Sequence, residues 1–352
     1  MPLALQALTP AGLAAAVPGI SLAEARKVVA MVHRDEPVRA SSAVRRTAAD
    51  AVRAAGEVPR LEVVEELASA LDPFVKYQLA SAGARFEAVR IPLADPRRFS
   101  VCVSSQVGCA LACRFCATGR LGLSRNLEAW EIIEQVREVC RRLPHGRVHG
   151  VVFQGMGEPL ANLDAVLAAI AVLTEPCALG IDGRAITVCT SGLPQQIRRL
   201  AREAPAVRLG LSLGSARVEV RRRLMPIDQA HGLDDVLDAT AEHAIITGHA
   251  PMWAVTLLAG VNDLDDDARA LAARARAFTE RTGKRPRISV IAYNSLGGDD
   301  PFRRTSPERE AAFREILSGH GLPSHRRYSG GSDIAAACGQ LVARGGPTRA
   351  TP

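Results

Sequence analysis

From about residue 98 onward, short apolar runs alternate with longer amphipathic stretches. Ser100–Ser104, Val148–Phe153, Ile186–Thr190, Val207–Leu213, Trp253–Leu258 and Arg287–Ala292 read as buried strands, because aliphatic and β-branched residues cluster there between breakers. Between them the apolar residues recur at helical spacing. These stretches run from Asn126, read as a cap, to about Arg142, then Leu163–Leu173, a short helix from Pro194, Leu233–Ile246, Asp265–Arg281 and Pro307–Ser318. About six strand–helix units in succession predict an α/β fold: a parallel sheet with helices outside it. In a parallel barrel, chemistry sits at the C-terminal ends of the strands.

Upstream the period differs. Ser21-Leu-Ala-Glu24 has the form of a capping box opening a helix over Ala25–His33, and Ser42–Ala55 reads as another helix. Phe74–Leu79 and Phe86–Ile91 alternate like strands, and Pro92 ends the second. The expected organisation is a helical accessory domain over 1–62 and a β-rich connector over 63–97. The main α/β unit follows over 98–342, with a tail over 343–352.

Composition narrows the class. The chain has 352 residues, 47% hydrophobic and 23% charged, as in a soluble globular protein. No apolar run is long enough for a bilayer span, and the apolar start lacks the basic residues of a signal peptide. Eight dispersed cysteines suit a reducing compartment, so a cytoplasmic location is expected. The net charge of +7 comes almost wholly from arginine, lysine standing only at 27, 76 and 284. Arginine pairs with phosphates and stacks on bases, which fits a polyanionic partner.

The candidate chemistry follows the first barrel strand. Cys109, Cys113 and Cys116 form C-x3-C-x2-C. Three thiolates can hold three irons of a 4Fe-4S cubane and leave the fourth open. They can also hold zinc with a distant fourth ligand, or be buried thiols. Cys102 is close enough in sequence to serve as that fourth ligand.

The flanking residues carry a resemblance. Cys102-Val-Ser-Ser-Gln-Val-Gly-Cys109, Arg125-Asn-Leu127, Gly155-Met-Gly-Glu-Pro-Leu160, Thr187-Val-Cys-Thr-Ser-Gly192 and Leu211-Ser-Leu213 follow in order. Met225-Pro-Ile227, Val261-Asn-Asp263 and Asp333-Ile-Ala-Ala-Ala-Cys-Gly-Gln-Leu341 complete the set. From about Glu87 to Leu341 the chain resembles the RlmN/Cfr family of radical S-adenosylmethionine (SAM) RNA methyltransferases. The resemblance implies a partial (β/α)6 radical-SAM barrel, with a small N-terminal helical domain and a β-rich connector. It implies one 4Fe-4S cluster on Cys109, Cys113 and Cys116, whose open iron chelates SAM. It implies Cys338 as the S-methylcysteine carrier, Glu87 as the proton acceptor and Cys102 as the resolving thiol, in a transient disulfide with Cys338. That role for Cys102 stands beside its reading as a fourth ligand. SAM contacts fall on Gly157, Glu158, Cys189, Ser212, Leu213, Gly214 and Asn294, while Asn262 reads as a loop former.

The reaction implied is transfer of a methyl group to carbon-2 of an adenosine in 23S rRNA, with tRNA as a further target. Carbon-8 methylation and a radical-SAM reaction on a non-RNA substrate are the alternatives. An electron donor such as flavodoxin and a monomeric state are also implied. Three departures bear on the substrate. Gly214 replaces a histidine, Cys189 replaces a serine, and the 327–332 loop lacks an arginine. Arginine clusters at 217 with 221–223, at 303–304 and at 326–327 are candidates for RNA contact.

Overall fold

The computed structural model of the protein describes residues 2–298 and 300–342. The expected tail over 343–352 lies outside the described residues.

The chain opens with strand β1 (Leu3–Ala4) and helices α1 (Pro10–Ala16), α2 (Leu22–His33) and α3 (Arg46–Ala55). The capping box at the start of α2 forms: Ser21 Oγ accepts from the Glu24 N–H, and Glu24 accepts from the Ser21 N–H. Leu5, Leu13, Val28, Val29, Ala49 and Val52 pack into a hydrophobic cluster of their own. Strand β2 (Gly56–Glu57) pairs in parallel with β1 and closes this unit.

An antiparallel meander follows: β3 (Glu62–Ala68), β4 (Val75–Ser81), β5 (Ala84–Pro92) and β6 (Arg98–Val103). Next come the short hairpin β7 (Gln106–Cys109) and β8 (Gly122–Asn126), with helix α4 (Ala117–Leu121) between its strands. Helix α5 (Ala129–Arg141) starts at Glu128, not Asn126, because Glu131 accepts from the Glu128 N–H and Asn126 is committed to β8. The remaining order is β9 (Arg147–Phe153), α6 (Leu163–Thr174), β10 (Ile186–Thr190), α7 (Pro194–Glu203), β11 (Arg208–Ser212) and α8 (Val218–Leu224). Then come α9 (Leu233–Thr247), β12 (Met252–Leu257), α10 (Asp265–Thr282), β13 (Arg287–Ala292), α11 (Pro307–Gly319) and β14 (Ser324–Arg327).

Strands β6, β9, β10, β11, β12, β13 and β14 are neighbours in that order, every pair parallel. The meander extends the same sheet antiparallel beyond β6, giving ten strands in all. The C-terminal ends of all seven parallel strands line one cavity, so the sheet curls into an incomplete barrel. Its six strand–helix units match the expected count, and β14 adds a closing strand. The polar stretch Ser-His-Arg-Arg offers no apolar run to reveal it. Between the strands and their helices, Val101, Val151, Val188, Leu211, Trp253 and Val290 are buried with Ile133, Val166, Ile197, Val236, Leu271 and Phe313.

One core group responds to acid. His243 on α9 is buried, and neither ring nitrogen has a hydrogen-bond partner among the described residues. Burial, helped by the neighbouring His249, holds its pKa down from 6.5 to about 4. The unfolded chain therefore takes up this proton first as pH falls. The stability present above pH 6.5 is lost progressively down to about pH 4, and amounts to about 3 kcal/mol. His243→Leu is expected to flatten the drop in melting temperature between these limits, read by circular dichroism at stepped pH. An unchanged slope would show that His243 contributes nothing to it.

Candidate active site

The three motif cysteines are presented by a pinned loop. The β7–β8 hairpin closes both ends, with Cys109 opposite Gly122. Inside it, the Arg114 N–H donates to the Leu224 carbonyl at 3.0 Å and the Cys116 N–H to the Cys113 carbonyl at 3.1 Å. Cys109, Cys113 and Cys116 all line the barrel cavity. Burial pushes Cys109 and Cys113 up to about 12 and raises Cys116 as well. Among the described residues, no three His, Cys, Asp or Glu side chains converge closely enough to hold a single metal ion. A cubane asks for three thiols facing one chamber, each on its own iron, and these three share the cavity. Cys102 lies on β6, separated from the loop by Ser104 and Ser105, and its neighbours are other thiols.

Those other thiols are Cys189 and Cys338. Cys102, Cys189 and Cys338 line the same cavity as the motif cysteines. All eight cysteines are free, so the expected Cys102–Cys338 pair is not a disulfide in this structure. Burial drives Cys102 and Cys189 up to about 12, and the guanidinium of Arg327 opposes it at both. Nη1 of Arg327 is shielded from solvent and has no hydrogen-bond partner among the described residues. Arg326 and Arg327 were expected to form one RNA-facing cluster. Strand alternation on β14 separates them: Arg326 turns outward to Glu310 at 3.1 Å, and Arg327 turns into the cavity.

The residues expected to contact SAM fall into two groups. Gly157, Glu158, Cys189, Ser212 and Gly214 line the cavity. At Gly157 φ is +101°, and a Cβ there would stand 2.6 Å from Gln106 Cβ, so only glycine fits. The Glu158 carboxylate accepts from the Ser191 N–H at 2.9 Å and the Leu160 N–H at 3.1 Å. Burial nonetheless raises its pKa to about 7. A cationic partner would restore its charge. Gly214 has φ +69° and a Cβ there would meet Met225 Sδ at 2.4 Å, so a histidine does not fit this backbone. Leu213 and Asn294 are not in the cavity lining. The Leu213 side chain is in the core. Asn294 Nδ2 donates to the Cys338 carbonyl and to Ser329 Oγ, both at 3.3 Å. Asn262 is a loop former as expected: its Oδ1 accepts from the Leu258 N–H, and its Nδ2 donates to the Gly214 and Thr256 carbonyls.

Glu87 is on β5, 1% exposed, and does not line the cavity. Its Oε1 stands 3.1 Å from Lys76 Nζ on β4. Lys76 belongs to no motif, and its one signal in the sequence is that it is among three lysines in an arginine-rich chain. Arg221 was read as part of an RNA-contacting cluster. It is fully buried, donating to Asp228 at 3.0 Å, to the Leu213 carbonyl at 2.6 Å and to the Ser191 carbonyl at 2.7 Å. It therefore ties together the loops after β10 and β11. Arg222, Arg223, Arg303 and Arg304 remain exposed.

Comparison with known proteins decides the family. Residues 103–274 match the model of the radical SAM superfamily. The chain is 58% identical to a probable RNA methyltransferase (sce3898) from Sorangium cellulosum, over 92% of this chain and 88% of that protein. It is 43% identical to the dual-specificity RNA methyltransferase RlmN of Syntrophobacter fumaroxidans, over 75% of each. The chain belongs to the RlmN-like radical SAM RNA methyltransferases. The crystal structure of a radical SAM methyltransferase from Sphaerobacter thermophilus superposes with a TM-score of 0.86, at 35% identity, over 97% of this chain and 100% of that one. An enzyme of this family uses a 4Fe-4S cluster and SAM, and the thiol-lined cavity has the donor chemistry for both. Among the described residues, no helix is long and apolar enough to cross a membrane.

Proposed function

We propose that this enzyme transfers a methyl group to carbon-2 of an adenosine in RNA, through an S-methyl group on Cys338. The observation that supports it most is the shared cavity: Cys338 and Cys102 line the same chamber as Cys109, Cys113 and Cys116. When bound, the cluster on those three cysteines and SAM supply the 5'-deoxyadenosyl radical. Gly157 and Glu158 receive the amino group of SAM, the carboxylate accepting from the ammonium. Ser212 and Gly214 border the nucleoside, and the Asn294 amide turns to it once the Cys338 carbonyl moves away.

Cys338 Sγ carries the methyl. Arg327 supplies positive charge beside Cys102 and Cys189, where burial otherwise disfavours thiolates. The target adenine is flipped out of its RNA. Glu87 takes the proton from its ring carbon. Cys102 Sγ then attacks Cys338 Sγ: an S–S bond forms, and the bond from Cys338 Sγ to the bridging carbon breaks with its electron pair going to that carbon. The carbon takes up a proton to complete the product's methyl group, and an external thiol later reduces the disulfide.

The RNA is 23S rRNA, with tRNA as a second target. Exposed Arg222, Arg223, Arg303 and Arg304 contact its phosphates, and the helical unit over 1–62 serves as the accessory RNA-binding domain. The substituted positions 189 and 214 mark a branch apart from RlmN itself, and the 58% identical relative bears the broader name. The enzyme works as a cytoplasmic monomer with a flavodoxin-like electron donor. Nucleoside mass spectrometry of rRNA and tRNA incubated with reconstituted enzyme tests the assignment. New 2-methyladenosine is expected. New 8-methyladenosine would move the target to carbon-8, and neither product would overturn the RNA reading.

A further inference from the structure

Among the described residues after β14, the segment bearing Cys338 contains no strand, and its single helical turn is Ser332–Ile334. The cluster loop holds it through the Ala117 N–H on the Gly339 carbonyl and Thr118 Oγ1 on the Leu341 carbonyl, both at 2.7 Å. The loop after β13 holds it through Asn294 and Gln340, and the antiparallel meander holds both of its ends. At the near end, Asp72 in the β3–β4 turn accepts from the Gly331 N–H at 2.9 Å and from the Tyr328 hydroxyl at 2.7 Å. Asp333 reaches back to the same turn, accepting from Ser69 Oγ at 2.7 Å and the Ala70 N–H at 2.8 Å. At the far end, Glu87 Oε2 accepts from the Val342 N–H at 2.9 Å. Lys76 Nζ lies 3.4 Å from the Ala335 carbonyl and 3.1 Å from Glu87. The contacts at Ala335 and Val342 bracket Cys338.

Glu87 shares its face of β5 with Val89 and Ile91, which line the cavity. Glu87 does not: Lys76 Nζ and the Val342 N–H both lie on its carboxylate. We infer that Lys76 and Glu87 form a latch that seats the carrier segment over the base, and that the segment must lift before an adenine can reach Glu87. Lys76 is then a positioning residue. It holds the carboxylate in place and draws in a backbone carbonyl of the carrier segment. A buried ion pair is maintained only while both charges and their remaining hydrogen bonds are satisfied. The carrier backbone supplies two of those bonds, so seating the segment and keeping the pair buried are one event. Lifting it presents the base and the carrier thiol together. The inference rests on the roles proposed for Glu87 and Cys338.

Hydrogen–deuterium exchange on the cluster- and SAM-loaded enzyme tests it, read on peptides covering 329–342. Lys76→Met is expected to speed exchange there about tenfold or more, with β10 to β12 unchanged. Lys76→Arg, which keeps the charge, is expected to restore most of the protection. If Lys76→Met does not fold, the double variant Lys76→Met/Glu87→Gln removes both charges of the pair and should show the same rise. Wild-type protection of 329–342 in a folded Lys76→Met or double variant would overturn the latch. Exchange is read without turnover, so a failure of the proposed reaction leaves this result interpretable.

Discussion

Replacing Cys338 with alanine is expected to abolish methyl transfer to RNA while SAM cleavage continues. Incorporation of labelled methyl should fall by about 10³-fold or more, because no other group replaces a covalent carrier. An alanine has no nucleophile to take the methyl and no sulfur on which to hold it. Formation of 5'-deoxyadenosine under reducing conditions should persist, since Cys109, Cys113 and Cys116 are untouched and sit on a separately pinned loop. The Ala117 N–H donates to the Gly339 carbonyl at 2.7 Å through backbone atoms alone, so the substitution leaves this link between the carrier segment and the cluster loop in place. Chromatography of the SAM products beside scintillation counting of the RNA separates the two activities. Undiminished methyl incorporation by Cys338→Ala would remove the carrier from the reaction.

The parts that were legible in the sequence are those where chemistry or periodicity fixes the spacing. Three thiols within one short loop announce themselves, and the strands from Val148 to Ala292 show as apolar runs because both faces of a parallel sheet are covered. Features set by distant pairing were not legible. Strand β14 is polar and exists because β13 offers it an edge. The β7–β8 hairpin is separated by the cluster loop, so no short turn signals it. Arginine was read by its charge alone. Arg221 could not be told from Arg222 and Arg223 without the helix that buries it, since Arg222 also reaches Asp228 but from the surface. Arg326 and Arg327 required a strand before alternation could send them to opposite sides. The roles expected of Glu87 and Cys338 came from resemblance alone. The contacts between β5 and the carrier segment, 255 residues apart in sequence, leave no local trace.

Replacing Cys102 with alanine is expected to trap the enzyme on its RNA. The variant retains the carrier thiol, the base and the cluster loop, so the steps through ring deprotonation proceed. It lacks the sulfur that attacks Cys338, so the product stays bonded through the bridging carbon. About one RNA per enzyme should accumulate, stable to denaturing electrophoresis. Digestion with nuclease and protease followed by mass spectrometry should find the nucleotide on a peptide containing Cys338. Sequencing the attached RNA then identifies the target. Cys189 is the one other thiol positioned to compete, and the sheet register argues against it. Cys102 is level with Val152, and Val152 with Thr187, so Cys189 stands two strands across and two residues further along. A carrier in disulfide reach of Cys102 would have to shift to reach Cys189, because disulfides tolerate little error in distance. The variant with both Cys102 and Cys189 replaced by alanine should therefore accumulate adduct no faster than Cys102→Ala alone. Free turnover by Cys102→Ala, lost only in the double variant, would transfer the resolving role to Cys189.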